Sequence, residues 1–261
     1  MLQRELAVAT AAARAAGAIV RARYGGDYTV REKQHDSPVT EADTEANRCI
    51  QERITRVFPD DGWLSEESRD SEARLGKTRL WVVDPLDGTK EFINHIPEFC
   101  VCIALVDGGV PVLGVSYNPI QEELFAGARG CGISLNERAV AVTDTAALAH
   151  ARFLVSRSEA GRGEWEEFRG QLQQEPTGSV AYKLALIAAG RGDAMFSLTP
   201  KHEWDVCAGA ALITLAGGCI TDRYGERLRF NQADPHLPGI IATNAHLHGA
   251  VVDLLRQHGK L

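Results

Sequence analysis

The chain lacks the features that mark several common classes of protein. Its six cysteines, at positions 49, 100, 102, 131, 207 and 219, include no Cys-x-x-Cys pair. We therefore interpret them as buried, reduced thiols of a cytoplasmic protein, with a disulfide framework or a zinc site as the alternative. Residues 2–23 are Ala-rich but carry four arginines, so this segment is too polar to span a membrane. It also has no signal-peptide pattern.

No long run of lysine or arginine is present, and the net charge is −7. This argues against a protein that coats nucleic acid and against an electrostatic membrane anchor. It does not exclude a nucleotide substrate, because bound cations change the local field at a site. Neither an internal repeat nor a low-complexity segment is found, and 44% hydrophobic content over 261 residues is enough for a substantial core.

The order of periodic segments predicts an α+β fold in two parts. In residues 1–145 we expect two long helices against an antiparallel sheet, with helices at 2–23 and 40–58 and strands at 28–33, 80–83, 99–106, 110–117 and 123–128. In residues 146–261 the elements alternate, which is typical of an α/β unit. Its predicted helices are 163–173, 180–189, 205–216 and 245–258, and its predicted strands are 152–156, 194–197, 219–221 and 239–242.

The segment from Trp81 to Ile93 carries the most information about chemistry. An apolar run stops at Asp84, and because Pro85 cannot donate to a sheet we expect the strand to end there. Asp87 follows three residues later, and Gly88-Thr89 starts what reads as the first turn of a helix. Carboxylates of this kind hold Mg²⁺, and the free N–H groups of a helix start bind anions. The segment thus offers both a cation site and a phosphate site.

Acidic residues elsewhere support this interpretation. Glu66 and Glu67 lie upstream, and Asp205 opens an Ala-rich helical stretch downstream. Asp43 lies on the apolar stripe of the second predicted helix, where a carboxylate needs a partner. The alternative is that these acids are solvated turn residues and helix caps, Asp205 most simply a helix N-cap.

In combination, four motifs resemble the inositol monophosphatase superfamily of Mg²⁺-dependent, typically lithium-sensitive phosphomonoesterases. They are Thr40-x-x-Asp43, Glu66-Glu67-Ser68, Asp84-Pro-Leu-Asp87-Gly-Thr89, and Trp204-Asp205 before an Ala/Gly-rich helix. The resemblance covers residues 37–218 and implies a layered α-β-α-β-α sandwich of the inositol monophosphatase and fructose-1,6-bisphosphatase type. It places the site between the two parts.

The resemblance also implies roles for individual residues around two or three Mg²⁺ ions. Metal ions can neutralise charge, orient water and stabilise the leaving alkoxide. One ion is expected at Glu66, Asp84 and the carbonyl of Leu86, and a second at Asp84, Asp87 and Asp205. A third, looser ion is expected near Glu66, which is expected to be both a metal ligand and a catalytic residue. Glu66 is preferred over Glu67 as the ligand. Thr89, tied to Asp43, is expected to orient the attacking water; both could instead be ordinary capping residues.

The substrate is expected to be a small phosphate ester that contacts Asp87, Gly88, Thr89, Lys183 and Asp205. The motif of residues 37–43 and the Lys90-Glu-Phe-Ile93 tail resemble the 3′(2′),5′-bisphosphate nucleotidase branch, which acts on adenosine 3′,5′-bisphosphate and belongs to sulfur metabolism. Lys183 resembles a lysine near the substrate in that branch, although it could be a solvated surface residue. Glu159 stands where the branch has histidine, and the approach to Trp204 also differs.

Two other functions stay open. One keeps the mechanism but hydrolyses inositol phosphate or another sugar phosphate. The other is a non-catalytic scaffold protein of the same fold, which the full set of predicted ligands disfavours. No nucleic-acid partner is expected, and the family resemblance implies a possible homodimer.

Overall fold

The computed structural model describes residues 2–26, 28–32 and 38–261. Its α-helices are α1 Gln3–Arg23, α2 Glu41–Thr55, α3 Thr89–Ile93, α4 Arg157–Gly161, α5 Val180–Ala188, α6 Glu203–Leu215 and α7 His248–Gln257. Short 3₁₀ turns lie at Glu72–Gly76, Leu148–His150 and Glu166–Phe168. No helix in the described ranges is long and apolar enough to cross a membrane.

A seven-stranded sheet forms from the N-terminal half of the described chain. Its strands, in spatial order, are β3 Gly62–Ser65, β4 Arg79–Asp87, β5 Cys100–Asp107, β6 Val110–Asn118, β7 Glu123–Ala128, β8 Gly132–Leu135 and β9 Arg138–Ala139. β3 runs parallel to β4, and each later neighbour is antiparallel. Side chains alternate along β5, so Val101 and Ile103 face one layer and Cys102 and Ala104 the other.

The second sheet is five-stranded and mixed. Its spatial order is β11 Gln173–Thr177, β10 Arg152–Ser156, β12 Ala194–Ser197, β16 Ile240–Thr243 and β14 Cys219–Asp222. β10 is parallel to both of its neighbours, and the other pairs are antiparallel. Two small antiparallel pairs join β1 Val30–Glu32 to β2 Pro38–Thr40 and β13 Lys201–His202 to β15 His236–Leu237.

Three apolar cores hold the layers together. The first joins α1 and α2 to one face of the seven-stranded sheet. The second fills the space between that sheet and the five-stranded sheet, and contains α5 and α6. The third packs α7 and the Trp165–Phe168 segment on the outer face of the second sheet. The expected α+β sandwich with α-β-α-β-α layers is therefore confirmed.

Close approach between the middle helices and the first sheet depends on Gly114 of β6. A Cβ at this position would lie 2.3 Å from the Ala208 carbonyl oxygen of α6. Since α6 carries Asp205 in its first turn, this contact fixes how far that carboxylate lies from the sheet. The division of the chain near residue 145 stays a prediction, because the middle core is built from residues on both sides of it.

Several boundaries differ from the sequence predictions, and two differences matter for the site. β4 does not end at Asp84 but continues through Pro85 to Asp87, with a register shift between Asp84 and Asp87. A bulge tolerates proline because its N–H is not needed in the ladder. The helix predicted at 163–173 is wrong: a 3₁₀ turn is followed by strand β11. Pro176 fits there because β11 is an edge strand.

Other differences are smaller. α2 ends at Thr55 rather than residue 58, and β3, β8, β9 and α4 were not predicted. Two predictions reach outside the described residues, namely Lys33 of the strand at 28–33 and Ser37 of the motif at 37–43. All six cysteines are free thiols; Cys100, Cys102 and Cys207 are buried, but Cys131 is exposed, so the expectation of burial is wrong there.

Candidate active site

The Asp84–Thr89 turn places the central carboxylates at the end of β4. The Leu86 N–H donates to Asp84 Oδ1 at 2.9 Å, which orients this carboxylate within its own turn. Gly88 follows with φ 100°, a left-handed conformation that glycine adopts without steric cost. A Cβ on Gly88 would also lie 3.0 Å from Phe99 Cβ. Gly88 therefore lets the strand turn sharply into α3, which begins at Thr89.

Asp205 reaches the same place from the first turn of α6. One carboxylate oxygen each from Asp84, Asp87 and Asp205 lies within 4.8 Å of the others. Burial raises the pKa of Asp84 well above its ordinary value, and the charges of Glu66, Asp87 and Asp205 raise it further. Burial, Asp87 and Glu66 likewise raise the pKa of Asp205. Three acids crowded in this way repel one another unless a cation neutralises them.

Asp43 and Thr89 meet although they are far apart in the chain. Thr89 Oγ1 lies 3.1 Å from Asp43 Oδ1 and also 3.1 Å from the Leu86 carbonyl oxygen, two acceptors for its one proton. Thr40, the N-cap of α2, donates to Asp43 Oδ2 from its N–H at 2.7 Å and from its hydroxyl at 2.6 Å. Burial raises the pKa of Asp43, and the Thr40 bonds lower it in part. The carboxylate is thus held rigidly behind Thr89.

Asp87 is held from the opposite half of the molecule. The hydroxyl of Ser179 and the N–H of Ala181, at 2.6 Å, both donate to Asp87 Oδ2. Burial raises the pKa of Asp87, and these two hydrogen bonds together with the charge of Lys183 lower it. Lys183 itself is only 2% exposed, so the surface-lysine alternative does not fit the structure.

These groups line one pocket of about 280 Å³ between the two sheets. Of the residues predicted from sequence to form the site, all but Asp43 border it, namely Glu66, Asp84, Leu86, Asp87, Gly88, Thr89, Lys183 and Asp205. Asp43 lies behind the pocket wall, where it contacts Thr89. Glu67 lies in a neighbouring hollow with Thr40 and Thr44. The structure thus brings the predicted residues together, while their roles stay predictions.

The wall opposite the carboxylates comes from the second sheet. Ser156 and Ser158 border the pocket at the start of α4. Glu159, which departs from the nucleotidase pattern, points instead into a buried cluster where it accepts hydrogen bonds from Trp165 Nε1, at 3.3 Å, and from the Ser197 hydroxyl. Its carboxylate is therefore engaged away from the pocket.

His202 and Trp204 form the rim beside Asp205. Their rings stack with centroids 4.4 Å apart and an interplanar angle of 7°. The His202 N–H donates to Asp205 Oδ2 at 3.0 Å, so the residue that caps α6 also orients the carboxylate. Glu203, next in sequence, is fully buried and accepts from the N–H groups of Asn231 and Gln232 instead.

Sequence reasoning missed some residues that shape the pocket. No sequence pattern assigned a role to Glu91, Ser156, Ser158 or Ser179, yet all four border the pocket. A Gly-Ser pair just before an apolar helix is a signal for an N-cap serine, and Ser179 does cap α5. Its contact with Asp87 links positions 92 residues apart, which no local pattern encodes.

The cluster of three carboxylates fits a hard divalent cation. Such cations prefer carboxylate oxygens, and the present ligand atoms lie close enough to share one ion. A cation would also remove the repulsion that raises the pKa of Asp84. The hydroxyl of Thr89 lies beside this cluster, so the arrangement combines charge neutralisation with a group that can orient water.

The chain is similar to several known proteins. The model of the inositol monophosphatase family matches residues 1–260. The 3′(2′),5′-bisphosphate nucleotidase CysQ of Escherichia coli K12 is 36% identical over 239 residues, covering 87% of this chain and 94% of the relative. Inositol-1-monophosphatase of a Synechocystis species is 35% identical over 259 residues, covering 95% and 87%. The inositol monophosphatase structure from Anabaena superposes with a TM-score of 0.81 at 33% identity, covering 98% and 96%.

Proposed function

The chain belongs to the inositol monophosphatase family and is a phosphatase of it; on this premise we propose that it is a Mg²⁺-dependent 3′(2′),5′-bisphosphate nucleotidase. It would hydrolyse adenosine 3′,5′-bisphosphate to AMP and phosphate. The observation that carries the phosphatase chemistry is the meeting of Asp84, Asp87 and Asp205 beside Thr89 in one pocket. The family is one of metal-dependent phosphatases, in accord with this cluster.

Glu66, Asp84, Asp87, Asp205 and the Leu86 carbonyl would hold the Mg²⁺ ions. When bound, these ions supply charge neutralisation for the phosphate and lower the pKa of water. The chain's own residues do the positioning. The N–H groups of Gly88 and Thr89, at the start of α3, would donate to a phosphate oxygen, since the first N–H groups of a helix have no intrahelical acceptors.

Thr89 would orient the attacking water. When its hydroxyl donates to Asp43 Oδ1, the lone pairs of Oγ1 become the better acceptor for a water proton. Asp43 is fixed by two hydrogen bonds from Thr40, so this acceptor for the Thr89 proton is in place before substrate binds. Preorganisation of this kind lowers the cost of reaching the transition state.

The assignment of a nucleotide substrate is supported by the CysQ relative and by the charge of Lys183 on the pocket wall. A buried ammonium suits a substrate that carries a second phosphate. Inositol phosphate is the second candidate, favoured by the Synechocystis relative at nearly the same identity. Li⁺ is expected to inhibit either activity.

Steady-state turnover of adenosine 3′,5′-bisphosphate and of inositol 1-phosphate, each with Mg²⁺ and with EDTA, tests the proposal. We expect kcat/KM for the bisphosphate to exceed that for the inositol ester at least tenfold, and EDTA to abolish both. A preference for inositol 1-phosphate would overturn the nucleotidase assignment. Absence of phosphate release from every ester tested, by a folded protein with Mg²⁺, would instead favour the scaffold alternative.

A further inference from the structure

Ser179 has a backbone conformation that few residues with a side chain adopt. Its φ is 56° and its ψ is 132°, in a region that is costly for an L residue. Ser179 is 8% exposed and caps the N-terminus of α5. Such a conformation persists only where neighbouring residues stabilise it, so the contacts around Ser179 indicate the role of this residue.

Lys183 holds the backbone of residues 177–179 by hydrogen bonds. Its Nζ lies 2.8 Å from the Ser179 carbonyl oxygen and 3.2 Å from that of Thr177. Two of the three ammonium protons therefore bind carbonyls on either side of Gly178. From the other side, Glu98 accepts the Gly178 N–H at 2.6 Å while Arg157 binds both oxygens of the same carboxylate.

The held serine acts on Asp87. Ser179 Oγ accepts the Tyr182 N–H at 2.9 Å, so its proton is directed to Asp87 Oδ2. The Ala181 N–H donates to the same oxygen. Because Oδ2 receives both bonds, the carboxylate is fixed with Oδ1 as the oxygen left for a cation. A residue at the start of α5 thus sets the orientation of an acid from β4.

We propose that Lys183 and Ser179 are positioning residues that act in series on the metal ligand Asp87, Lys183 holding the backbone of Ser179 and Ser179 holding the carboxylate. This rests on the proposed metal site and adds a role that substrate contact alone would not give Lys183. The direction in which loss of Lys183 changes cation affinity distinguishes a positioning role from a purely electrostatic one. On charge alone, removal of a cation beside a metal site strengthens cation binding, whereas loss of positioning weakens it.

Mn²⁺ affinity of the full-length protein, measured by calorimetry without substrate, tests the proposal. Mn²⁺ takes the same oxygen ligands as Mg²⁺. We expect Lys183→Met and Ser179→Ala each to weaken Mn²⁺ binding about 10–100-fold. The double variant should bind no more weakly than the weaker single variant, because the two residues act in series. Lys201→Met, which removes a lysine that contacts Thr199 and Glu159 instead, should bind Mn²⁺ as tightly as wild type or more tightly.

The outcomes separate this inference from the proposed function. If wild-type protein binds no Mn²⁺, the metal site itself is wrong. If wild type binds but Lys183→Met binds equally or more tightly, and only its KM for the bisphosphate rises, Lys183 is a substrate contact and the inference fails. Should Lys183→Met not fold, Ser179→Ala decides alone, since unchanged Mn²⁺ affinity there removes the contact on which the inference depends.

Discussion

The carboxylate at position 84 should destabilise the protein until a cation binds, so Asp84→Asn is expected to stabilise the metal-free form while abolishing activity. Asp84 is 1% exposed, and its ligand oxygen lies within 4.8 Å of those of Asp87 and Asp205. Two full charges at that separation repel by about 3.5 kcal/mol at an effective dielectric constant of about 20. Partial protonation relieves part of this repulsion, so we expect a net gain of roughly 1–3 kcal/mol in the free energy of unfolding.

The gain should depend on pH in a defined direction. Burial and neighbouring charges raise the pKa of Asp84 in the folded protein, so the folded state retains a proton that the unfolded state loses above about pH 4. The stability of metal-free wild type therefore falls as pH rises from about 4 towards the raised pKa. Asp84→Asn removes this contribution and should lose less stability over the same range.

Thermal unfolding in EDTA and in saturating Mg²⁺, at about pH 6 and about pH 8, provides the assay. In EDTA at the higher pH the variant should melt above wild type; in Mg²⁺ the order should reverse, because only wild type gains binding energy. Phosphatase activity should fall by about 10³-fold or more. The control Asp253→Asn replaces an exposed acid of α7 that is paired with Arg256. It should change neither the melting temperature nor the phosphatase activity. If Asp84→Asn melts below wild type in EDTA at about pH 8, the proposed repulsion between Asp84 and its neighbouring carboxylates is contradicted.

Two further changes test the catalytic pair and the layer spacing. Thr89→Val should lower kcat by roughly 10²–10³-fold, whereas Thr89→Ser, which keeps the hydroxyl, should have little effect. Adding Asp43→Asn to Thr89→Val should cost no further activity, because Thr89 and Asp43 act as a unit. A kcat of Thr89→Val within tenfold of wild type would contradict this role. Gly114→Ala should destabilise the fold by about 3 kcal/mol, seen as a fall of roughly 6–12 °C in Tm, because its Cβ would lie 2.3 Å from the Ala208 carbonyl. An unchanged Tm would show that α6 can move away from the sheet.

Local patterns predicted the parts of the fold that local physics decides. The strands predicted at 123–128 and 152–156 agree with β7 and β10, since each is a short apolar run bounded by polar residues. Thr40 caps α2 as its sequence indicates, and Asp43 completes the capping box. Asp84, Asp87 and Asp205, which come from two of the motifs, lie close together. These features depend on neighbours in sequence or on the family resemblance.

The differences arise where tertiary contacts override the local signal. Pro85 indicated a strand end, but the pairing of Asp87 with Cys100 extends β4 beyond it. A helix was predicted at 163–173, whereas the segment holds a 3₁₀ turn and then, from Gln173, the strand β11, which pairs with β10. The hold of Ser179 on Asp87 likewise depends on how two sheets pack. The partners of these contacts are not neighbours in sequence, so the local pattern around either partner does not reveal the contact.

The central claim is that Asp84, Asp87 and Asp205 bind divalent cations that the phosphatase reaction requires. Anomalous diffraction from crystals soaked in Mn²⁺, at a concentration that supports turnover, tests it most directly. We expect an anomalous peak within ligand distance of oxygens from all three carboxylates, at about 2.0–2.3 Å. A fully active enzyme whose crystals show no peak between these side chains would contradict the claim.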